Sequence, residues 1–254
     1  MPLTRREFLR LSGAAATAGL LLPVTQAAAA GRIKAVAFDG FTTFDPRPIT
    51  ALAETLFPGQ GQTLAQSWRV RQFEYTWLRT LMGNYADFRQ ITEEALIFAA
   101  QQHALELTGE KRERLMQAFL SLDAWPDAKA ALLRLKASGL RLAFLSNFTA
   151  TMLDACVKQA GLEGIFEEHL STDRVKAYKP DPRAYRMGTE AFGLPREQIV
   201  FAAFGGWDAA GAKAFGYPTF WVNRVQAPQE HLGVAADASG KTLTDLADFI
   251  QTLG

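Results

Sequence analysis

From Trp125 onward the chain alternates between helical and strand-like stretches, and that alternation restricts the fold more than any other feature of the sequence. Lys129 to Ser138 has helical spacing and Gly139 stops it. Leu140 to Leu145 reads as a strand, Thr151 to Ala160 as a helix, and Phe166 to Leu170 as a short strand. Pro182 to Phe192 is helical, Ile199 to Ala203 a strand, Pro218 to Val222 another, and Thr244 to Leu253 a closing amphipathic helix. Strands joined by helices predict an α/β fold, a doubly wound parallel sheet covered on both faces. The earlier run Lys34 to Phe38 fits as a first strand, and it ends abruptly at Asp39. Ligands bind at the carboxyl ends of strands in open α/β sheets. A carboxylate there is a nucleophile, a metal ligand or a buried structural acid.

Between these parts, Pro48 to Ala124 contains no convincing strand. Apolar residues recur at helical spacing over Ile49 to Phe57, Leu64 to Met82, Asp87 to Leu107 and Lys111 to Leu120. Pro58, Gly59, Gln60 and Gly61 form a turn cluster between the first two. The expected organisation is a core of residues 31–46 and 125–254, with a helical cap domain over 47–124.

The first thirty residues differ in kind. Thr4 to Arg10 carries a twin-arginine pattern, Leu11 to Val24 is apolar, and Gln26 to Ala30 offers small-residue cleavage sites. This reads as a twin-arginine export signal and predicts a bacterial periplasmic address. A membrane helix would need about twenty apolar residues, and this stretch is shorter and holds Pro23. The net charge is +1. Removing the leader would take away three basic residues and one acid and leave −1. Neither value argues for nucleic acid or an anionic membrane as a partner. The single Cys156 lies in an apolar helical pattern and reads as a buried, inert thiol. His103, His169 and His231 are scattered, and read as surface or packing residues.

Four strand ends carry polar groups: Asp39 with Thr43, Ser146 with Asn147, Lys179, and Asp208. Acid, hydroxyl or amide, lysine and acid, in that order, resemble the haloacid dehalogenase superfamily. Further matches bring the chain close to its metal-independent (S)-2-haloacid dehalogenases (type II). These are Trp68-Arg69, Glu74 to Arg79, Tyr178-Lys179-Pro180-Asp181 and Trp207-Asp208-Ala209. The resemblance covers nearly all of the chain after the leader.

The resemblance implies a HAD-like Rossmannoid core and hydrolytic dehalogenation of short (S)-2-haloalkanoic acids. Asp39 would attack the carbon and form an ester, splitting one hard step into two. Lys179 would keep Asp39 ionised, and Thr43 and Ser146 would orient it by hydrogen bonds or else cap the next helix. Asp208 would activate water or hold Lys179, and Tyr185 would hydrogen-bond near the lysine. Arg69, Asn147 and the edge of Trp207 would receive the halide, behind a wall of Phe41, Phe73 and Phe88. No metal and no cofactor is implied. A homodimer formed through the helix of Tyr75, Trp77 and Leu78 is a further expectation.

Phosphatases of the superfamily carry a second aspartate two residues after the nucleophile, and here that residue is Phe41. They often pair acids near the fourth strand, where Trp207 precedes Asp208. Other departures concern the dehalogenases themselves. Thr42 stands where they usually have glycine, and Ala203 and Gly205 stand where they usually have serine and asparagine. The Gly205-Gly206 pair is expected to open space. Two other readings therefore accompany the dehalogenase: a phosphatase-like hydrolase of the same fold, and a degenerate homologue that binds a small carboxylate without turnover.

Overall fold

A computed structural model describes residues 33–253; the leader assigned above to residues 1–30 lies outside them. The described chain opens with strand β1 (Ala35–Phe38) and one helical turn, α1 (Gly40–Thr43). The cap helices follow: α2 (Arg47–Leu56), α3 (Gly61–Met82), α4 (Phe88–Gln102) and α5 (Gly109–Ala118). The core then resumes with α6 (Ala128–Ala137), β2 (Arg141–Ser146), α7 (Ala150–Gln159), β3 (Glu168–Ser171) and α8 (Pro182–Phe192). It closes with β4 (Ile199–Ala203), α9 (Gly206–Phe215), β5 (Thr219–Val222), β6 (Ala238–Gly240) and α10 (Leu243–Thr252).

The strands form one six-stranded sheet in the order β3-β2-β1-β4-β5-β6, and every pairing is parallel. β1 is the topological switch point, with β2 on one side and β4 on the other. Phe38, the residue before Asp39, is in register with Phe144 and Ala202. The carboxyl ends of these three strands therefore open onto the same crevice.

Alternation along each strand feeds two separate cores. Val36, Phe38, Leu142, Phe144, Val200 and Ala202 face one layer, which runs on into the cap through Trp68, Phe88 and Ile91. Ala35, Ala37, Ala143, Leu145, Ile199 and Phe201 face the other. Both faces of the sheet are thus buried, as near-continuous apolar strands require.

The cap hangs from a narrow neck. Phe44 and Ala124 form an antiparallel bridge, flanked by hydrogen bonds from Asp45 N–H to Asp123 O and from Trp125 N–H to Thr43 O, each 2.9 Å. Within the cap, α2 and α3 touch at Gly61. A Cβ there would lie 2.1 Å from the backbone of Glu54, so only glycine permits the contact.

The differences from the sequence reading are local. The helix expected to reach Leu107 ends at Gln102. His103 caps it, and Ala104 turns the chain out at φ +51°. Phe166 lies outside β3, its ring stacked on Phe144 at 3.9 Å. β6 and α1 were not anticipated. β6 is three half-exposed small residues that become a strand only by pairing with β5.

Candidate active site

Asp39 follows β1 directly and is the N-cap of α1, its Oδ2 accepting the Phe41 N–H at 3.0 Å. The cap and nucleophile readings of this residue are therefore compatible. Its Oδ1 accepts from Lys179 Nζ at 2.7 Å. The same ammonium donates to Asp208 Oδ2 at 2.6 Å, and Tyr185 Oη donates to Asp208 Oδ1 at 2.7 Å. Four residues from β1, the loop after β3, α8 and α9 thus form one hydrogen-bonded chain: Asp39, Lys179, Asp208, Tyr185.

Burial gives this chain its electrostatic character. The Lys179 side chain is 1% exposed. Removing an ammonium from water costs several kcal/mol unless opposite charge meets it. Burial pulls the Lys179 pKa down, but Asp208 and Asp39 more than offset this, so it ends above the ordinary lysine value. Asp208 moves up to about 6: burial is the largest cause, opposed by Lys179 and reinforced by the like charge of Asp39. Burial, followed by Asp208, also pushes the Tyr185 phenol up, so it stays a donor.

Thr43 and Ser146 correct an expectation. Neither hydrogen-bonds Asp39, whose two carboxylate oxygens accept from Lys179 and the Phe41 amide. Ser146 Oγ instead accepts the Phe148 N–H at 3.1 Å. Thr43 Oγ1 is buried with no partner. Thr42 is accommodated without strain: it lies in a helical turn and donates its hydroxyl to Asp39 O at 2.6 Å.

Asn147 anchors the lysine loop through Oδ1, which accepts the Lys179 N–H at 3.3 Å. Its Nδ2 is buried and unpartnered, a donor with capacity to spare for an anion. Arg69 points inward from α3. Its guanidinium carbon lies 5.3, 5.7 and 5.2 Å from the rings of Phe41, Phe73 and Phe204, and among the described residues it makes no ion pair. Burial lowers its pKa, partly countered by the charge of Asp39. A cavity of about 40 Å³ lies against it, bounded by Phe41, Ile49, Trp68, Gln72 and Phe119. That is room for a small ion or a water or two.

Trp207 packs on Phe73 at 5.2 Å and on Trp77 at 5.4 Å. The indole folds back over Gly205, where a Cβ would come 2.8 Å from Nε1. The Gly205-Gly206 pair therefore opens no space: Trp207 fills the room at Gly205, and Glu230 and Trp221 close in on Gly206. Phe88 joins the aromatic group indirectly, stacking on Phe148, whose ring meets Phe41 edge-on at 4.9 Å.

The sequence reading missed Phe204 and Phe148. Each follows a strand end by a residue or two, and each is buried against Phe41. An apolar residue just past a polar strand end was the available signal.

The model of the haloacid dehalogenase-like hydrolases matches residues 19–216. The chain belongs to this family. An (S)-2-haloacid dehalogenase of Pseudomonas sp. (strain YL) is 40% identical over 221 residues, covering 87% of this chain and 95% of that relative. The crystal structure of an L-2-haloacid dehalogenase superposes with a TM-score of 0.85 at 42% identity, over 86% of this chain and 99% of the other. An L-2-haloacid dehalogenase from Xanthobacter autotrophicus, solved with chloropropionic acid covalently bound, gives 0.81 at 33% identity, over 87% and 100%. Within the haloacid dehalogenase-like hydrolases, this chain's buried carboxylate–lysine–carboxylate arrangement sits at the carboxyl ends of β1 and its neighbours.

Elsewhere, His103 pairs with Ser67 and His169 with Asp154, each at 2.7 Å. Cys156 is buried and its thiol is pushed up to about 11 by burial. Among the described residues, no His, Cys, Asp and Glu cluster of three or more could hold a metal.

Proposed function

We propose that the protein hydrolyses the carbon–halogen bond of short (S)-2-haloalkanoic acids, giving 2-hydroxy acids through an aspartyl ester on Asp39. The observation that carries this reading is the Lys179 ammonium, buried between Asp39 Oδ1 and Asp208 Oδ2. It sets a full positive charge 2.7 Å from Asp39 Oδ1 in a water-poor site, where a carboxylate stripped of solvent attacks carbon.

The carboxylate of Asp39 attacks C2 from the side opposite the halogen. The carbon–halogen bond breaks and the electron pair leaves with the halide. Arg69 and the free Nδ2 of Asn147 supply fixed donors for the growing anion. In the second step Asp208 takes a proton from water, which attacks the carbonyl carbon of the ester. The tetrahedral intermediate breaks its bond to the substrate oxygen, which takes back the proton held by Asp208. The hydroxy acid departs, Asp39 is restored once its new acid proton is lost to solvent, and configuration is inverted once at C2. A substituent at C2 meets Phe41, Phe73, Phe204 and Trp207, which favours a short chain.

A phosphatase reading lacks its general acid, since Phe41 contributes only a backbone N–H and a packed ring. Binding without turnover draws on Ala203 and Gly205, which leave no side-chain donor near Asp208 on that strand end. Incubation with (S)-2-chloropropionate separates the readings. Halide release with solvent oxygen-18 entering Asp39 is expected. A stalled ester seen by intact mass would support capture without hydrolysis. Mg²⁺-dependent phosphate release from an aryl phosphate would favour the phosphatase.

Periplasmic export by the twin-arginine route rests on the pattern in residues 4–10, and a leader–reporter fusion in a strain with and without that pathway tests it. A homodimer through α3 draws support from Leu78, Leu81 and Met82, all exposed on that helix. Leu81→Glu should shift a dimer to monomer in light scattering.

A further inference from the structure

The turn α1 places the carboxylate of Asp39, yet a single turn has no stability of its own. Two of its carbonyls are met within the turn, and the three that follow have no partner there and are met from outside. Asp39 O accepts from Thr42 N–H at 3.2 Å and Gly40 O from Phe44 N–H at 2.9 Å. Phe41 O accepts the indole Nε1–H of Trp125 at 3.0 Å. Thr42 O accepts from Arg224 Nε at 3.1 Å and Nη2 at 2.7 Å. Thr43 O accepts the Trp125 N–H at 2.9 Å.

Two of these donors are side chains distant in sequence, and both are themselves fixed. The Arg224 side chain is 4% exposed and pairs with Asp127 at 2.7 and 3.1 Å. Its guanidinium carbon lies 4.7 Å from the centre of the Trp125 ring. Asp127 also accepts the Leu243 N–H at 2.7 Å, which ties the brace to α10. The forked guanidinium grips a carbonyl and a carboxylate together, which a lysine cannot reproduce.

We infer that Trp125 and Arg224 are positioning residues, which orient the Asp39 carboxylate by holding the carbonyl end of the turn behind it. They fix the peptide planes after Phe41 and Thr42. That keeps the Phe41 N–H aimed at Asp39 Oδ2, while Lys179 holds Oδ1. With both oxygens held, the carboxylate plane is set. With Lys179 alone, it turns about its own axis and leaves the line of attack.

This role rests on the ester mechanism proposed above, and its test includes a readout that does not. Trp125→Phe deletes one donor and keeps an aromatic, though smaller, ring; Arg224→Lys keeps the charge and loses the fork. Single-turnover ester formation from (S)-2-chloropropionate, read by intact mass, should slow about tenfold in the first and about a hundredfold in the second, with KM within about twofold of wild type. Hydrogen exchange should quicken over residues 39–44 and at the amides of the brace itself, Trp125 and Leu243, and nowhere else. Unchanged ester formation in folded variants overturns the role. So does a loss matched by faster exchange across the whole sheet. If the wild type forms no ester, the functional reading fails and the exchange data decide alone: unchanged exchange at 39–44 removes the brace.

Discussion

Lys179 Nζ lies 2.6 Å from Asp208 Oδ2, as close as it lies to the candidate nucleophile, so the acid across the site shares the ammonium with Asp39. The charge state of Asp208 then governs both steps of the reaction. Burial first, together with the nearby Asp39, places its pKa at about 6. Turnover should fall on the acid side as pH drops through 6, and Asp208→Asn should abolish the second step at all pH values. Stability runs the opposite way. The folded state holds this proton more tightly than the unfolded chain, so the contribution of Asp208 is complete below the ordinary carboxylate pKa and lost as pH rises through 6. The melting temperature of wild type relative to Asp208→Asn should therefore decline from pH 5 to pH 7.

Removing the lysine isolates its electrostatic role. In Lys179→Met, Asp39 and Asp208 face each other across a buried gap with no cation. Ester formation should fall by at least about 10³-fold, and stability should drop by about 3–5 kcal/mol, as when one partner of a buried pair is deleted. Adding Asp39→Asn to this variant should recover part of the stability, because a like charge is removed. Denaturant melts of the two singles and the double measure the coupling.

Gly205 is held to its identity by Trp207. Gly205→Ala sets a Cβ 2.8 Å from Nε1 of the indole, so Trp207 must move off Phe73 and Trp77. The expected cost is about 1–3 kcal/mol, with a change in near-ultraviolet circular dichroism from the displaced aromatic cluster. An unchanged aromatic spectrum would show that the indole does not rest there.

The cap is clasped to the core beside the lysine. Tyr85 of the cap donates its hydroxyl to Asp173, and Tyr178 of the core donates its own to Ala86 O at 2.6 Å. The Tyr178 N–H donates to Thr80 Oγ1 at 3.1 Å. Tyr85→Phe should cost about 1 kcal/mol and speed hydrogen exchange in the α3–α4 loop. A rise in KM larger than the fall in kcat would mark the clasp as part of substrate closure.

Much of this arrangement was legible in the residues. The parallel sheet followed from strand–helix alternation, and Asp39, Lys179 and Asp208 were marked by their places at or after strand ends together with their order, which resembles that of the haloacid dehalogenases. What could not be read was anything decided by side-chain direction. Thr43 and Ser146 have the right chemistry and place but spend their geometry elsewhere. The glycine pair looked like vacant space until the indole of Trp207 was seen folded over Gly205. Arg224 and Trp125 lie far along the chain from the turn they support, at positions where an exposed arginine and a core tryptophan would be the ordinary reading. β6 has no hydrophobic pattern of its own and exists because β5 offers it an edge.

The neck at Phe44 and Ala124 carries a consequence for how such a chain can vary. Because departure and return are pinned to each other, the entropy of closing the excursion is set at that point and grows only as the logarithm of its length, about 0.6 kcal/mol for each doubling. Length added on the far side of the excursion, away from the layer that the cap shares with the core, therefore carries little entropic penalty and does not displace the turn that follows β1. The nucleophile and its lysine are anchored on one side of the neck while Arg69 and Phe73 reach them from the other, so the shape of what is admitted can drift without moving Asp39.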